Sequence, residues 1–324
     1  MNSAPEHAPL PPSQRLAATL VIALANFMVV LDLTIANVSV PHIAGSLAAS
    51  STQGTWIITS YAVAEAIIVP LTGWLATRLG SVRLFVFSIL GFAAASLLCS
   101  MSTSLGMLIV ARILQGISGG PIMPLAQTLL LASYPKSKQG AAMGVWAMTT
   151  LLAPIMGPLL GGWITDNYDW EWIFYINVPV GIIAAAMVWN IFRSRETARQ
   201  KLPVDVVGLA LLLVWVGALQ LVLDKGRELD WFESPFIVTL AILSVVSFVA
   251  FLIWELNEKN PIVDLRVFAN RTFTASVLSL SVLFGAFFSA IVLMPLWLQT
   301  FQGYTALHSG MATAPMGVLS LLMA

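Results

Sequence analysis

Long apolar stretches alternate with short polar segments along almost the whole chain. A helix of about 20 apolar residues crosses about 30 Å of hydrocarbon, and nine stretches are close to this length or longer. They lie at residues 16–40, 55–76, 84–101, 105–133, 141–164, 173–192, 204–223, 236–254 and 273–298. A tenth begins near His308 and is still apolar at Ala324. The pattern predicts an all-α protein that crosses a membrane many times.

The two ends of the sequence differ in character. Prolines cluster before the first span, which is itself too long for the core of a cleaved signal peptide and should stay attached. A natural span leaves the bilayer at polar or basic residues, whereas the tenth stops without them. We therefore expect a C-terminally truncated chain with a short N-terminal tail at residues 1–15.

Basic residues indicate the orientation, because loops rich in Lys and Arg stay in the cytoplasm. If the spans alternate, one side of the membrane holds Lys225 and Arg227, while Arg112 lies inside a span. The other side holds the remaining twelve of fifteen basic residues, which are Arg15, Arg78, Arg83, Lys136, Lys138, Arg193, Arg195, Arg199, Lys201, Lys259, Arg266 and Arg271. The sequence thus predicts a cytoplasmic N-terminus.

Composition excludes several other classes of protein. Apolar residues make up 58% of the chain and charged residues 9%, whereas about a quarter of the residues in a soluble domain are charged. The net charge of zero gives no basic field for nucleic acid. Cys99 is the single cysteine, and His7, His42 and His308 lack the spacing of metal ligands. We expect no metal and no cofactor.

Three ionisable residues fall well inside predicted spans: Asp32, Glu65 and Arg112. From the helical rise they lie about 13, 15 and 11 Å from the predicted outer boundary. Such residues usually face a cavity or a partner, and a shared depth allows these three to converge. We interpret them as a proton-coupling group. The alternative is a buried ion pair that only fixes helix packing.

The fifth span combines small residues with prolines. Ala153, Gly157 and Gly161 recur every fourth residue, a stripe that lets another helix approach closely. Pro154 and Pro158 lie in the same segment, and each removes a backbone hydrogen bond. The pattern predicts a closely packed, kinked helix, for which ordinary packing is the alternative to a role in transport.

Six short motifs resemble those of one transporter family. They are LDLTIANVSVP at 31–41, GWLATRLGSVR at 73–83, ARILQG at 111–116, APIMGPLLGG at 153–162, WIFYINVP at 172–179 and NPIVDL at 260–265. By these motifs the chain resembles the fourteen-helix drug:proton antiporters of the major facilitator superfamily, and among them the EmrB-type exporters of Gram-negative bacteria. The resemblance runs from about residue 16 to the end.

The resemblance implies both a fold and an activity. The fold has an N-terminal six-helix bundle at 16–192, a cytoplasmic linker at 193–203, two additional helices at 204–255 and the start of a C-terminal bundle at 256–324. The activity is proton-driven export of hydrophobic drugs and toxic compounds across the bacterial inner membrane. Implied partners are these small molecules, membrane lipid and possible periplasmic adaptor and outer-membrane channel proteins.

The resemblance also implies residue roles. Asp32 would be the proton-coupling carboxylate, and Arg112 the arginine that tunes it. The cytoplasmic gating loop would comprise Gly73, Arg78, Gly80 and Arg83, and the antiporter motif Pro154, Gly157, Pro158, Gly161 and Gly162. The chain departs from the family at Thr77, where many members have aspartate, and at Glu171, where relatives often have arginine.

Other functions remain as alternatives at this point. A proton-coupled importer or a narrow-specificity exporter would share the same fold. A membrane-embedded enzyme would need paired histidines, a Ser/Lys dyad or an HExxH motif within a span, and the sequence has none. A non-transporting sensor would not lose coupling when Asp32 is replaced.

Overall fold

A computed structural model describes residues 8–200, 203–304 and 312 of the protein. The described part is helical, as the hydropathy predicts. Its α-helices are α1 (Pro12–Ser46), α2 (Ser51–Gly54), α3 (Trp56–Leu79), α4 (Ser81–Ser100), α5 (Leu105–Gly119), α6 (Ile122–Ser133), α7 (Gln139–Asn167), α8 (Trp172–Tyr175), α9 (Asn177–Phe192), α10 (Val206–Lys225), α11 (Pro235–Asn257) and α12 (Arg271–Thr300).

Within the described residues, eight helical segments are long and apolar enough to cross a membrane. Each coincides with one of the first eight predicted spans, so the protein is a multi-pass membrane protein. The segment Leu105–Ser133 contains α5 and α6, and the segment Trp172–Arg195 contains α8 and α9. The ninth predicted span falls within α12, and the tenth lies outside the described residues.

The first span is longer than predicted. It begins at Pro12 instead of residue 16 and ends at Ser46 instead of residue 40. Proline is tolerated in the first turn of a helix because its missing N–H would have no partner there. Pro41 lies inside the helix without ending it, since membrane helices accept a single lost hydrogen bond when the neighbouring structure compensates.

Six spans form one bundle around α1. Helix α1 packs against α6, α7 and α9, α4 packs against α5 and α9, and α3 packs against α5. Two apolar clusters fill the bundle, one containing Phe85 and Phe92 and the other containing Ile57 and Phe174. These helices place the buried polar residues of α1, α5 and α9 next to each other.

The next two helices form a pair, in which α10 packs against both α11 and α3. Lys225, at the end of α10, is 4% exposed although the sequence places it in an outer loop. Its ammonium donates hydrogen bonds to Thr55 and to Glu228, the latter at 3.0 Å, and lies 5.1 Å from the ring centroid of Trp56. Lys225 therefore ties the helix pair to the six-span bundle.

Helices α1 and α7 approach each other closely. A Cβ atom added to Gly157 would collide with Thr34 of α1, and one added to Gly161 would lie 3.3 Å from the carbonyl oxygen of Ile35. Gly162 has open space on its Cα. The small-residue stripe thus allows the close approach of another helix that the sequence predicts. Helix α7 is continuous through Pro154 and Pro158.

One end of the bundle gathers the segments that carry the basic residues. The amide of Leu10 donates to the Ser133 carbonyl at 3.0 Å, and the amide of Gln200 donates to the Thr77 carbonyl at 3.0 Å. The N-terminal tail, the loop after α3, the end of α6 and the linker after α9 therefore lie together. We call this end the basic end.

Candidate functional site

A buried ion pair lies in the middle of the six-span bundle. The guanidinium Nη1 of Arg112 in α5 donates to the carboxylate Oδ2 of Asp32 in α1 at 2.6 Å. Arg112 is 0% exposed and Asp32 is 2% exposed. A charge removed from water without a partner costs several kcal/mol, on the order of 3–5, so the fold has to hold these two groups together.

Two amides complete the shell of the carboxylate. Gln115 Nε2 and Asn177 Nδ2 donate to Asp32 Oδ1 at 3.0 and 2.7 Å. Both amides also donate to Ser96 Oγ, at 2.7 and 3.3 Å. Gln115 is one helical turn after Arg112, and its Oε1 accepts from Arg112 Nη1 at 2.6 Å. Three helices, α1, α5 and α9, therefore meet at one carboxylate, and Ser96 connects α4 to the same network.

The opposite side of Arg112 faces α3 and α8. Its Nε donates to the Ile57 carbonyl at 3.1 Å, and its guanidinium carbon lies 4.3 Å from the ring centroid of Tyr61 and 5.6 Å from that of Phe174. Aromatic faces stabilise a cation by cation–π attraction. Within the described residues Arg112 Nη2 has no hydrogen-bond partner, so the guanidinium retains one free donor group inside the bundle.

Glu65 stands next to this network instead of within it. Its Oε1 accepts from the Tyr61 hydroxyl at 3.5 Å, and its side chain is partly exposed. Tyr61 thus contacts both Glu65 and Arg112. The structure brings Asp32 and Arg112 into direct contact and connects Glu65 to them through one aromatic ring.

Sequence reasoning gave no role to Gln115, Asn177, Ser96 or Tyr61. Gln115 and Asn177 lie in two of the motifs quoted above, and an amide in an apolar span is a signal of the same kind as a charge. Because an amide costs less than a charge in hydrocarbon, the signal is weaker. Ser96 carries still less information, since serine is common in packed membrane helices.

The predicted gating loop joins α3 to α4 at the basic end. Gly80 has a φ of +94°, a conformation that favours glycine. Directly after it, the amides of Val82 and Arg83 each donate to the Glu196 carboxylate at 3.0 Å. The Ser81 amide donates to Thr197 Oγ1 at 2.9 Å. Glu196, from the linker after α9, therefore caps the N-terminus of α4, where the helix dipole favours a negative charge.

The other members of the loop lie around this cap. Arg83 Nε is 3.9 Å from Glu196 Oε2, and Arg78 lies 5.2 Å from the ring centroid of Trp74. Gly73 has open space on its Cα. Thr77, where many family members have aspartate, donates its hydroxyl to the Gly73 carbonyl at 2.9 Å. Its backbone carbonyl accepts from the linker residue Gln200.

The predicted antiporter motif lies beside the ion pair. Thr34 is two residues after Asp32 on α1, and its hydroxyl lies 3.3 Å from the Ala153 carbonyl of α7. Gly157 faces the same threonine. Asn26, which precedes Asp32 on α1, donates to Thr150 Oγ1 at 2.9 Å. Any movement of α1 around Asp32 would therefore change its contact with α7.

The arrangement joins a carboxylate, a guanidinium and two amides in one buried network. Asp32 accepts three hydrogen bonds from side chains, and the one from the Arg112 guanidinium is charge-assisted. Protonation would replace an acceptor by a donor and remove the charge that pairs with Arg112. A helical bundle with such a buried pair is a membrane-transporter fold with a candidate coupling site.

Comparison with known proteins agrees with this class. Residues 22–324 match the family model of the Major Facilitator Superfamily. The chain belongs to the major facilitator superfamily, a family of transporters and not of enzymes.

Two similar proteins carry names that describe export or resistance. Over 315 residues the chain is 50% identical to the multidrug export protein EmrB of Escherichia coli strain K12, covering 97% of this chain and 62% of that protein. Over 305 residues it is 52% identical to the fatty acid resistance protein FarB of Neisseria gonorrhoeae, covering 94% of this chain and 60% of that protein. The chain thus spans about three-fifths of the length of these relatives.

A solved structure supports the fold. The crystal structure of a peptide transporter POT in complex with sulfate matches with a TM-score of 0.59 at 15% identity, covering 94% of this chain and 68% of that chain. At this identity the likeness concerns the fold alone.

Proposed function

We propose that the complete protein exports hydrophobic compounds across the bacterial inner membrane in exchange for protons, and that Asp32 carries the proton. The observation that carries this proposal is the buried Asp32 carboxylate, held by Arg112, Gln115 and Asn177 from two other helices. Ionisable residues at such depth in a membrane bundle are typical of proton pathways. The N-terminus is cytoplasmic in this proposal, in agreement with the basic end.

Protonation provides the switch in the proposed cycle. A proton from the outside neutralises Asp32 and removes its attraction for Arg112. The guanidinium keeps Gln115, the Ile57 carbonyl and the Tyr61 ring as partners, so it remains on α5 and α3 while α1 is released. Because α1 packs against α7 at Thr34 and Gly157, the release shifts the contact on which alternating access depends.

Hydrophobic substrates are proposed from the relatives. Their names refer to multidrug export and to fatty acid resistance, and fatty acids have long apolar chains. Glu65 is the second candidate for contact with the substrate or the proton, because it is partly exposed beside Tyr61. We also propose that the complete exporter works with a periplasmic adaptor and an outer-membrane channel.

The test measures efflux of a fluorescent hydrophobic cation from cells that express the full-length protein under an imposed proton gradient. Asp32→Asn is compared with the wild type at equal membrane expression. Asp230→Asn is the matched control, because Asp230 lies in an exposed turn with a φ of +56°, which asparagine tolerates.

Gradient-dependent efflux that is lost in Asp32→Asn and kept in Asp230→Asn supports the proposal. Full efflux in Asp32→Asn would exclude Asp32 as the proton carrier. Wild-type cells that accumulate the dye along the gradient would show an importer. The adaptor is tested separately by co-purification from crosslinked cells, where recovery of the exporter without a periplasmic protein would contradict that partner.

A further inference from the structure

A groove lies on the outer surface of the six-span bundle, between α4 and α9, with a volume of about 490 Å³. Its floor is made by the buried side chains of Val86 and Ala185. Its walls include Phe87 and Trp189, which are 61% and 40% exposed. Both helices are predicted membrane spans, so the groove opens towards lipid.

The groove has a single charged residue at one end. Arg83, in the first turn of α4, is the one ionisable side chain in its lining. Its side chain is 38% exposed and its nearest carboxylate oxygen, on Glu196, is 3.9 Å away. In the described part of the chain, the Arg83 guanidinium donates no hydrogen bond. That carboxylate accepts hydrogen bonds from the amides of α4, so its ion pair with Arg83 leaves the N–H donors of the guanidinium available.

The groove has the direction of a lipid acyl chain, because it runs along two membrane-spanning helices. It extends along α4 from Arg83 to Leu90, seven residues or about 10 Å of helix. Trp189 flanks the charged end, and tryptophan favours the level of the lipid headgroups. Two further arginines, Arg193 and Arg195, follow directly after α9. Basic clusters between membrane helices on the cytoplasmic side are typical sites for anionic lipid headgroups.

We propose that this groove binds an anionic phospholipid, with one acyl chain between α4 and α9 and the lipid phosphate on Arg83. The charge of the site selects the occupant. A hydrophobic cation of the kind proposed as substrate would be repelled by the arginines, and a zwitterionic lipid would bring its own cation next to them. An anionic lipid satisfies both the apolar walls and the unused N–H donors of Arg83, and the bilayer supplies it at this depth.

The proposal is tested by native mass spectrometry of the full-length protein in detergent, with added phosphatidylglycerol or phosphatidylcholine. Two variants change the groove: Arg83→Gln removes the charge, and Ala186→Trp fills the space. Two matched controls lie outside it. Lys138→Gln removes another exposed cation from the basic end, and Ile183→Trp enlarges an exposed residue on another part of α9.

We expect the wild type to bind phosphatidylglycerol about fivefold more tightly than phosphatidylcholine, the effect of one basic residue near an anionic headgroup. Arg83→Gln should remove this preference and Ala186→Trp should remove binding of both lipids, while both controls bind as the wild type does. Equal binding of the two lipids by the wild type would overturn the headgroup assignment. Undiminished binding in Ala186→Trp, or displacement of bound lipid by a hydrophobic cation, would overturn the groove as the site.

Discussion

Arg112 on α5 reaches across the bundle to Asp32 on α1, with 2.6 Å between Nη1 and Oδ2, and neither side chain is exposed by more than 2%. The pair connects two helices that otherwise meet mainly through their neighbours. Its energy depends on both partners being present, because each one alone would be an uncompensated charge. The stability of the bundle and the proton coupling proposed above therefore involve the same two residues.

Replacing one partner of the Asp32–Arg112 pair should lower the stability of the protein. We expect Arg112→Met to lower the free energy of unfolding by about 3–5 kcal/mol, because Asp32 would stay buried without its cation. Adding Asp32→Asn to the same chain should recover part of this loss, since the double variant contains no buried charge. A double-mutant cycle measured by denaturation in detergent checks this, and simple addition of the two effects would contradict it.

Gln115 should matter although it carries no charge. Gln115→Leu removes its bonds to Asp32, Ser96 and Arg112, and we expect a loss of about 1–3 kcal/mol of stability because buried groups lose partners. The variant should also reduce gradient-driven efflux. Gln127→Leu is the control, since this partly buried amide on α6 makes no side-chain hydrogen bond with a described residue. Equal stability of the two variants would remove Gln115 from the network.

The close contact between α1 and α7 predicts different results for two neighbouring glycines. Gly157→Ala should destabilise the protein by about 1–3 kcal/mol, because the new methyl group collides with Thr34. Gly162→Ala meets open space and should be neutral or stabilising by up to about 1 kcal/mol, since alanine favours a helix. Thermal unfolding in detergent distinguishes them, and a stable Gly157→Ala would show that the helices can separate without cost.

Two glycines of the gating loop should also differ. Gly80→Ala forces a side chain into a φ of +94° and against Glu196, so we expect a loss of about 1–3 kcal/mol and weaker attachment of the linker. Gly73→Ala lies inside α3 with open space and should not destabilise. Protease cleavage of the linker after residue 196 reports the attachment. Equal cleavage rates for both variants would disprove the role of Gly80 in placing Glu196.

The contacts of Lys225 predict how the additional helix pair is held against the six-span bundle. Lys225→Met loses the bonds to Thr55 and Glu228, and we expect a loss of about 1–2 kcal/mol. Arg227→Met, the matched change at an exposed residue two positions on, should have no effect. A disulfide crosslink engineered between α3 and α10 measures the contact. Unchanged crosslinking in Lys225→Met would mean that the other contacts of α10, which include the hydrogen bond from Thr59 to Asp224, hold the helix pair without Lys225.

The sequence by itself determined the spans, their order and the places where charge enters the membrane. These are one-dimensional properties, because hydropathy and length decide whether a segment can cross a bilayer, and eight predicted spans agree with the helical segments of the described residues. Asp32 and Arg112 could be identified from the sequence for the same reason, since a charge in an apolar run has a high cost wherever the helix packs. The extension of α1 to Pro12 and Ser46 could not be predicted from the sequence, because it depends on neighbouring helices that compensate the lost backbone hydrogen bond.

Only the tertiary structure decided which polar groups share one site. Asn177 is 145 positions from Asp32 in the chain and 2.7 Å from it in space, a contact set by the packing of α1 against α9. The place of Glu65 behind Tyr61, the capping of α4 by Glu196 and the burial of Lys225 have the same origin. Each depends on the rotation and register of helices against each other, and these follow from side-chain packing over the whole bundle instead of from any local pattern.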